Sequence, residues 1–191
     1  MAAEPKHTYT EAEYLMLERD SDVRHEYYEG EIFAMVGASE AHNLIVTSTV
    51  FSLYGQLRAR PCRIYSNDMR VRVAATGLYT YPDLIVVCGE SRFTDDTFET
   101  LANPTIIIEV LSDSTERYDR GKKFQHYRAL ASLREYLLIA QDAAHIEHFV
   151  REDEGSWRLT EATGTAAMLH LPSIDCTLPL VEVYEKVMLA D

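Results

Sequence analysis

The pattern of apolar and polar positions divides the chain into strand-like and helix-like segments. Continuous apolar runs occupy residues 81–88, 104–111 and 135–140, and such runs are typical of strands buried on both faces of a sheet. Apolar residues recur at helical spacing from about Glu40 to Ala59 and over residues 116–131. The chain therefore alternates buried strands with helices that can cover them.

Capping and turn residues predict the elements near the N-terminus. Thr10 and Glu13 fit a capping box, which predicts a short helix that ends at about Arg19. The pair Glu29-Gly30 lies between two β-prone runs and predicts a β-hairpin. We therefore expect a helix followed by a hairpin before the first long helix.

Shorter strands are predicted on either side of the buried runs. Residues 62–73 predict a strand, a turn and a strand, in which Arg70 and Arg72 alternate with apolar residues and indicate one solvated face. Residues 91–103 predict a loop. Residues 145–162 predict a strand pair with its turn at 152–155, and the tail predicts an extended segment followed by a helix.

These elements together predict an α/β fold with a mixed central β-sheet flanked by helices. The chain has 191 residues and contains no internal repeat or long linker, so we expect a single domain over residues 1–191. Within it, residues 1–40 would form an N-terminal helix and hairpin extension. Residues 41–140 would form the core, and residues 141–191 the C-terminal strands and helix.

The charge is acidic but unevenly distributed. The formal net charge of −13 argues against nucleic-acid binding by the chain as a whole, because phosphate neutralisation requires Lys and Arg. Residues 58–134, however, contain 12 of the 18 basic side chains and only 10 of the 31 acidic ones. Either this reflects ordinary variation of surface charge, or the central segment can approach phosphate while the flanks face elsewhere.

Composition excludes several classes of protein. No apolar run approaches the ~20 residues of a membrane span, and the N-terminal residues lack the apolar core of a signal peptide. Cys62, Cys88 and Cys176 are odd in number and far apart, so they fit neither a disulfide framework nor a CxxC metal site. We expect Cys62 and Cys88 to be core residues of a cytoplasmic protein with no membrane partner.

Two carboxylates interrupt the buried runs. Asp83 opens one apolar run, and Glu109 lies inside another. A carboxylate in a buried strand is costly unless it is paired or bound to a cation. Each could be satisfied by its own arginine or backbone partner, but a shared divalent metal would satisfy both. Oxygen ligands favour Mg²⁺ or Mn²⁺ over Zn²⁺.

A lysine pair follows the second carboxylate. Lys122 and Lys123 lie in the predicted helix, and Asp119, Lys123 and Tyr127 follow one another at four-residue spacing on one stripe. This stripe could be an ordinary ion pair on a solvated face. Beside two carboxylates and a metal, a lysine could instead orient a water or stabilise charge on a phosphate.

Several segments carry a family resemblance. They are residues 9–15, 25–31, 41–42, 81–87, 109–115, 119–127 and 135–138. In their order and spacing they resemble the restriction endonuclease-like family labelled Uma-two, a bacterial family first described as a domain of unknown function. That family is placed in the PD-(D/E)XK nuclease superfamily, so the resemblance implies a restriction endonuclease-like core.

The resemblance also implies roles for individual residues. Asp83 matches the aspartate of the first half-motif and Glu109 the acid of the second, and both are metal ligands in the superfamily. The superfamily lysine would lie two residues after this acid, where the chain has Leu111. A lysine on the following helix takes this role in the family, and Lys123 matches it better than Lys122.

Supporting residues follow from the same resemblance. Glu31 matches the acid that follows the hairpin glycine and would add a carboxylate. His42 matches a histidine near the site, at the start of the first core helix. Asp119 would either orient Lys123 or support its helix, and Tyr127 is either packed or part of the site.

The function that these observations favour is a Mg²⁺- or Mn²⁺-dependent endonuclease that hydrolyses DNA phosphodiester bonds. Asp83, Glu109 and the carbonyl of Val110 would hold the metal, and Lys123 would position the attacking water. DNA as the substrate follows from the resemblance. The candidate DNA contacts are basic residues of the central segment: Arg70, Arg72, Arg120 and Lys122.

Two other classes of function stay open. A non-catalytic nuclease-fold protein acting as a binding or interaction dimer would suit the acidic flanks and the absence of a lysine from the second carboxylate strand. A small-molecule hydrolase could use the same carboxylates. A homodimer is expected because the hairpin from Tyr27 to Val36 is rich in apolar and aromatic residues, and because nucleases that cut two strands often pair.

Overall fold

The computed structural model describes residues 7–35, 37–97 and 99–189, and within them helices and strands alternate as the sequence predicts. The helices are α1 (Glu11–Asp20), α2 (Glu40–Leu57), α3 (Glu116–Tyr118), α4 (Phe124–Tyr127) and α5 (Leu180–Val183). A π-helical segment (Asp119–Lys123) joins α3 to α4, and residues 116–127 are called the π-containing helix below. The strands are β1 (His25–Tyr28), β2 (Glu31–Ala34), β3 (Cys62–Ser66), β4 (Arg70–Val73), β5 (Leu78–Thr80), β6 (Leu84–Cys88), β7 (Thr100–Leu101), β8 (Ile106–Val110), β9 (Glu135–Ile139), β10 (His145–Arg151), β11 (Trp157–Thr163), β12 (Met168–Leu171) and β13 (Cys176–Pro179).

A mixed six-stranded sheet forms the centre of the molecule. Its strand order is β11-β10-β9-β8-β6-β3, in which β8 and β9 run parallel and the other neighbours antiparallel. The second sheet has the order β2-β1-β5-β4-β7, and β12 pairs with β13. The predicted α/β fold with a mixed central sheet flanked by helices is therefore confirmed.

The two faces of the central sheet bury separate cores. Successive side chains of a strand point to opposite faces, so the three continuous apolar runs supply both. Ile106 and Ile108 pack with Leu53 of α2 on one face. Ile107 packs with Tyr127 of the π-containing helix on the other. Full burial on both faces explains why these strands show no polar alternation.

The N-terminal helix and hairpin pack onto the second sheet. The capping box is present, because the Thr10 side chain accepts from the Glu13 N–H and the Glu13 carboxylate accepts from the Thr10 N–H. Tyr27 of β1 is buried against Tyr14 of α1, with ring centroids 5.0 Å apart. The hairpin shares a sheet with β5, so the extension is continuous with the segment predicted as the core.

The predicted solvated face of the strand at 70–73 is wrong. Arg70 is only 6% exposed, because β4 lies inside the second sheet between β5 and β7. Its Nε and one terminal nitrogen donate to the Thr100 hydroxyl at 2.9 and 2.7 Å. The alternation predicted one solvated face, but in the structure this face is buried at Arg70 and only partly exposed at Arg72.

The prediction that the cysteines form no disulfide is also wrong. Cys62 and Cys88 lie directly opposite each other in the antiparallel β3–β6 pair and form a disulfide, with Cα atoms 4.0 Å apart. Cys176 is free and buried. The pairing depends on strand register across 26 residues, which cysteine spacing does not reveal.

Element boundaries agree closely with the sequence elsewhere. Helix α2 ends at Leu57, two residues before the predicted end. The segment predicted as a loop at 91–103 contains the short strand β7, and β12 was not predicted. No helix in residues 7–35, 37–97 or 99–189 is long and apolar enough to cross a membrane. The cytoplasmic location stays a prediction.

Candidate active site

The pairing of β6 with β8 brings the two predicted metal ligands together. Leu84 pairs with Ile108, so Asp83 and Glu109 are neighbours at the same end of these strands. The Val110 N–H donates to Asp83 Oδ2 at 2.7 Å, and the Asp83 N–H lies 3.4 Å from Glu109 Oε2. Asp83 thus accepts from the residue that follows Glu109, and Glu109 faces the N–H of Asp83 itself.

Lys123 completes the predicted trio. Its ammonium lies 3.0 Å from Glu109 Oε1 and 3.4 Å from Asp119 Oδ1. Lys123 is 6% exposed, whereas Lys122 is exposed to solvent. The structure therefore brings Lys123, and not Lys122, to the carboxylates. It lies in the π-helical segment, a rare conformation that occurs frequently at functional sites.

Two further predicted residues contact the carboxylates. The Tyr127 hydroxyl donates to Glu109 Oε1 at 2.8 Å, and His42 Nε2 lies 3.1 Å from Asp83 Oδ1. His42 occupies the first turn of α2, which begins there because the Ser39 side chain caps it by accepting from the His42 N–H. His42 and Tyr127 therefore fix the orientation of one carboxylate each.

Glu26 of β1 is the carboxylate that the sequence analysis missed. Its Oε1 lies 3.3 Å from Lys123 Nζ and accepts from the Thr80 hydroxyl. The predicted hairpin acid, Glu31, pairs with Tyr28 in the hairpin and so shares a face with Glu26. Strand periodicity could have identified that face. Only the pairing of β1 with β5 makes Glu26 the residue beside the site.

Burial and crowding perturb the ionisation of the cluster. Burial, reinforced by Asp119 and Asp83 and opposed by Lys123, raises the pKa of Glu109 to about 8. Burial also raises the pKa of Asp119, although Lys123 opposes the shift. Burial alone would lower the pKa of Lys123, but Glu109 and Glu26 outweigh it and raise this pKa well above the ordinary value.

The residues present fit a hard divalent cation. Among the described ion pairs of the cluster, four carboxylates face only Lys123 and His42. These carboxylates are Glu26, Asp83, Glu109 and Asp119. The excess of negative charge requires a cation or bound protons, and an all-oxygen donor set suits Mg²⁺ or Mn²⁺.

The predicted DNA contacts do not form a basic surface. Arg70 is buried, so its predicted DNA contact is wrong for this conformation. Arg72 lies 2.9 Å from a Glu11 carboxylate oxygen, and Arg120 pairs with carboxylates of the flanking helix and of β10. Lys122 alone of the four is exposed. Three of the four predicted contacts are therefore buried or already paired with a carboxylate.

Known proteins resemble this chain over most of its length. The Uncharacterized protein sll1609 of Synechocystis sp. (strain ATCC 27184 / PCC 6803 / Kazusa) is 37% identical over 158 residues, covering 83% of this chain and 89% of the relative. The Uncharacterized protein slr1290 of the same organism is 33% identical over 172 residues, covering 90% of this chain and 89% of the relative.

A solved structure shares the fold. The crystal structure of a putative nuclease belonging to DUF820 from Anabaena variabilis ATCC 29413 superposes with a TM-score of 0.73 at 18% identity, covering 93% of this chain and 98% of the other. The predicted restriction endonuclease-like fold is thereby confirmed. The Uma2 family model, described as a putative restriction endonuclease, matches residues 11–180. The chain therefore belongs to the Uma2 family.

Proposed function

We propose that this protein is a divalent-metal-dependent endonuclease that hydrolyses DNA phosphodiester bonds. The observation that carries the proposal is the convergence of Asp83, Glu109 and Lys123 from three separate elements into one buried acidic cluster. Buried titratable groups with perturbed pKa values concentrate at functional sites. Family membership supports the nuclease class.

The first task of the cluster is to present oxygen ligands. Asp83, Glu109 and the carbonyl of Val110 would hold Mg²⁺ or Mn²⁺, which when bound stabilises negative charge that develops on the phosphate. The Val110 N–H and His42 hold the two Asp83 oxygens in place. The Tyr127 hydroxyl holds Glu109 by donating to its Oε1. Such fixed carboxylates need little reorganisation during reaction.

The second task belongs to Lys123. Because its pKa is held well above the ordinary value, the side chain stays an ammonium at neutral pH. An ammonium donates hydrogen bonds and cannot accept a proton, so Lys123 acts as a donor that orients a water or contacts a phosphate oxygen. Glu26 and Asp119, 3.3 and 3.4 Å from Nζ, hold it in position.

A nuclease assay tests the proposal. Supercoiled and linear DNA are incubated with Mg²⁺ or Mn²⁺ and with wild type, Lys123→Ala or Glu109→Ala. The matched control is Lys186→Ala, which removes an exposed lysine that pairs with Glu185 and not with the cluster. We expect cleavage by wild type and the control and its loss in the other two variants. Cleavage that persists in both would overturn the proposed mechanism.

A non-catalytic binding function is the second candidate. It is favoured by one observation, that Arg70 is buried and Arg72 is paired with Glu11, so neither of these predicted DNA contacts is free. Metal-induced changes in Tm separate the candidates at the step of metal binding. The first proposal expects Mn²⁺ to raise the Tm of wild type but not of Asp83→Ala. Turnover of nucleotides without DNA cleavage would point instead to a small-molecule hydrolase.

The homodimer stays part of the proposal. Tyr27, one of the residues that suggested it, is buried within the protomer, but Phe33 on strand β2 is 49% exposed. Val36 lies outside the described residues. We propose that the hairpin pairs two protomers through the Phe33 face. A monomeric mass from solution scattering at micromolar concentration would contradict this pairing.

A further inference from the structure

A cleft lined by arginines and aromatic rings lies away from the carboxylate cluster. It is open, has a volume of about 470 Å³, and lies between the end of the π-containing helix and the β10–β11 hairpin. Val150, between the lining residues Phe149 and Arg151, pairs with Glu135. Glu135 pairs with Ile106 at one end of the parallel β8–β9 pair, whereas Glu109 is near the other end. At ~3.3 Å per residue the cleft is therefore roughly 10 Å along the strands from Glu109.

Arg128 and Arg151 line this cleft, and Arg134, whose carbonyl accepts from the Arg151 N–H, lies beside it. No ion pair of the described residues includes Arg128, Arg134 or Arg151. Glu152, next to Arg151, pairs instead with Arg158 at 2.6 Å. These three arginines form a local positive patch in a chain with a net charge of −13. Such a patch attracts anions.

Arg151 has a donor that the protein does not use. Its Nε is buried and has no hydrogen-bond partner, while one terminal nitrogen donates to the Arg128 carbonyl at 2.5 Å. Burial, with the nearby charge of Arg134, lowers the pKa of Arg151. A buried donor without a partner is costly, and the guanidinium, which lines the cleft, can donate to an anion there through its terminal nitrogens.

The walls of the cleft are aromatic. Phe124 lies 4.5 Å from Phe149 and 5.3 Å from Trp157, measured between ring centroids. The Arg151 guanidinium lies over the Trp157 ring at 4.8 Å. Aromatic rings bind nucleobases by stacking. Neighbouring arginines bind phosphates by charge-assisted hydrogen bonds.

We propose that this cleft binds a nucleoside phosphate, with the phosphate on Arg128 and Arg151 and the base against Trp157 and Phe149. The ligand is either a free nucleotide or a terminal nucleotide of a single strand, since both present the same chemistry. The site is separate from the carboxylate cluster and does not depend on the proposed catalysis.

Trp157 provides the measurement, because it is the only tryptophan of the chain. Its fluorescence, excited at 295 nm in buffer with EDTA, is titrated with deoxyadenosine monophosphate, deoxyadenosine, inorganic phosphate and a 5′-phosphorylated single-stranded octamer. We expect saturable quenching by the monophosphate, with deoxyadenosine and phosphate each at least tenfold weaker. Tighter binding of the octamer would identify a strand end, and binding of the monophosphate alone a free nucleotide.

Variants test the assignment of residues. Arg151→Gln and the exposed Arg128→Gln are each expected to weaken binding at least tenfold. Arg158→Gln, which removes the neighbouring arginine that already has a carboxylate partner, is the matched control and should bind within twofold of wild type. Because the titrations are made in EDTA and read Trp157, a failure of catalysis at the carboxylate cluster does not affect this result.

Two results with wild type would overturn the proposal. One is the absence of saturable quenching by both the monophosphate and the octamer up to millimolar concentration. The other is equal binding by a glutamate-rich peptide, which would show that the cleft selects negative charge and not a nucleotide. Equal affinities of Arg128→Gln and Arg158→Gln would likewise contradict the assigned phosphate contacts.

Discussion

Two buried glutamates on neighbouring strands of the central sheet have opposite surroundings. Glu135 on β9 is fully buried, and each of its oxygens has one partner in the protein. These partners are the Ser173 N–H at 2.6 Å and His148 Nε2 at 2.5 Å. Glu109 on β8 is 3% exposed and lies among other carboxylates around a single lysine. Both glutamates are buried. They differ because other negatively charged side chains lie close to Glu109.

This difference separates a structural carboxylate from a functional one. Both carboxylate oxygens of Glu135 have hydrogen-bond partners within the protein, so neither is left to bind a ligand. Glu109 shares Lys123 with Glu26 and Asp119, so the cluster has more negative charge than its basic groups neutralise. A buried glutamate in a strand therefore indicates a metal site only when other acids face it.

The largest expected effect is on catalysis by the same substitution at the two positions. Glu109→Gln should reduce DNA cleavage by roughly 10²- to 10³-fold, the loss typical of removing one preorganised electrostatic contact. Glu135→Gln should cleave within about threefold of wild type, because Glu135 lies in the opposite core. Both are measured as initial rates in Mg²⁺. Equal losses in the two variants would remove the distinction.

The next largest effect is on stability at the lysine. Lys123→Met leaves Glu26, Glu109 and Asp119 facing one another without their shared cation, and removal of one partner from a buried ion pair costs about 3–5 kcal/mol. Lys122→Met, at an exposed position, should change the free energy of unfolding by less than about 0.5 kcal/mol. Urea denaturation in EDTA measures both variants. An unchanged midpoint for Lys123→Met would argue against the cluster.

The pH dependence of stability sharpens the comparison further. The folded pKa of Glu109 is raised to about 8, so the folded protein binds a proton that the unfolded chain releases at lower pH. Stability must therefore fall as pH rises from about 5 to about 8 in metal-free buffer. Glu109→Gln should reduce this slope of Tm against pH, and saturating Mg²⁺ should flatten it in wild type. A wild-type Tm that rises across this range would contradict the shift.

The smallest effect is expected at the structural glutamate. In Glu135→Gln the amide can still accept from the Ser173 N–H and donate to His148, so the loss should be about 1 kcal/mol, the worth of one hydrogen bond. Adding Mn²⁺ should raise the Tm of this variant as much as that of wild type. A metal response abolished at Glu135 would place the metal on the wrong face of the sheet.

Much of the site could be predicted because burial and charge conflict in the sequence itself. Asp83 and Glu109 stand out since each interrupts an apolar run, and the i,i+4 spacing places Asp119 beside Lys123. Glu26 could not be distinguished from Glu31 in this way. Both lie on one face of the hairpin, and strand periodicity does not say which of them has β5 as its neighbour.

Periodicity and the cost of burying charge are local properties, so the pattern along the chain is enough to predict the buried strands, the helices between them and the two carboxylates that the sheet holds. The contact of Lys123 with the cluster, the burial of Arg70 and the pairing of Cys62 with Cys88 are evident only in the folded molecule. Each of these depends on which strand or helix lies alongside. That choice is made by long-range pairing and packing, which no spacing along the chain encodes.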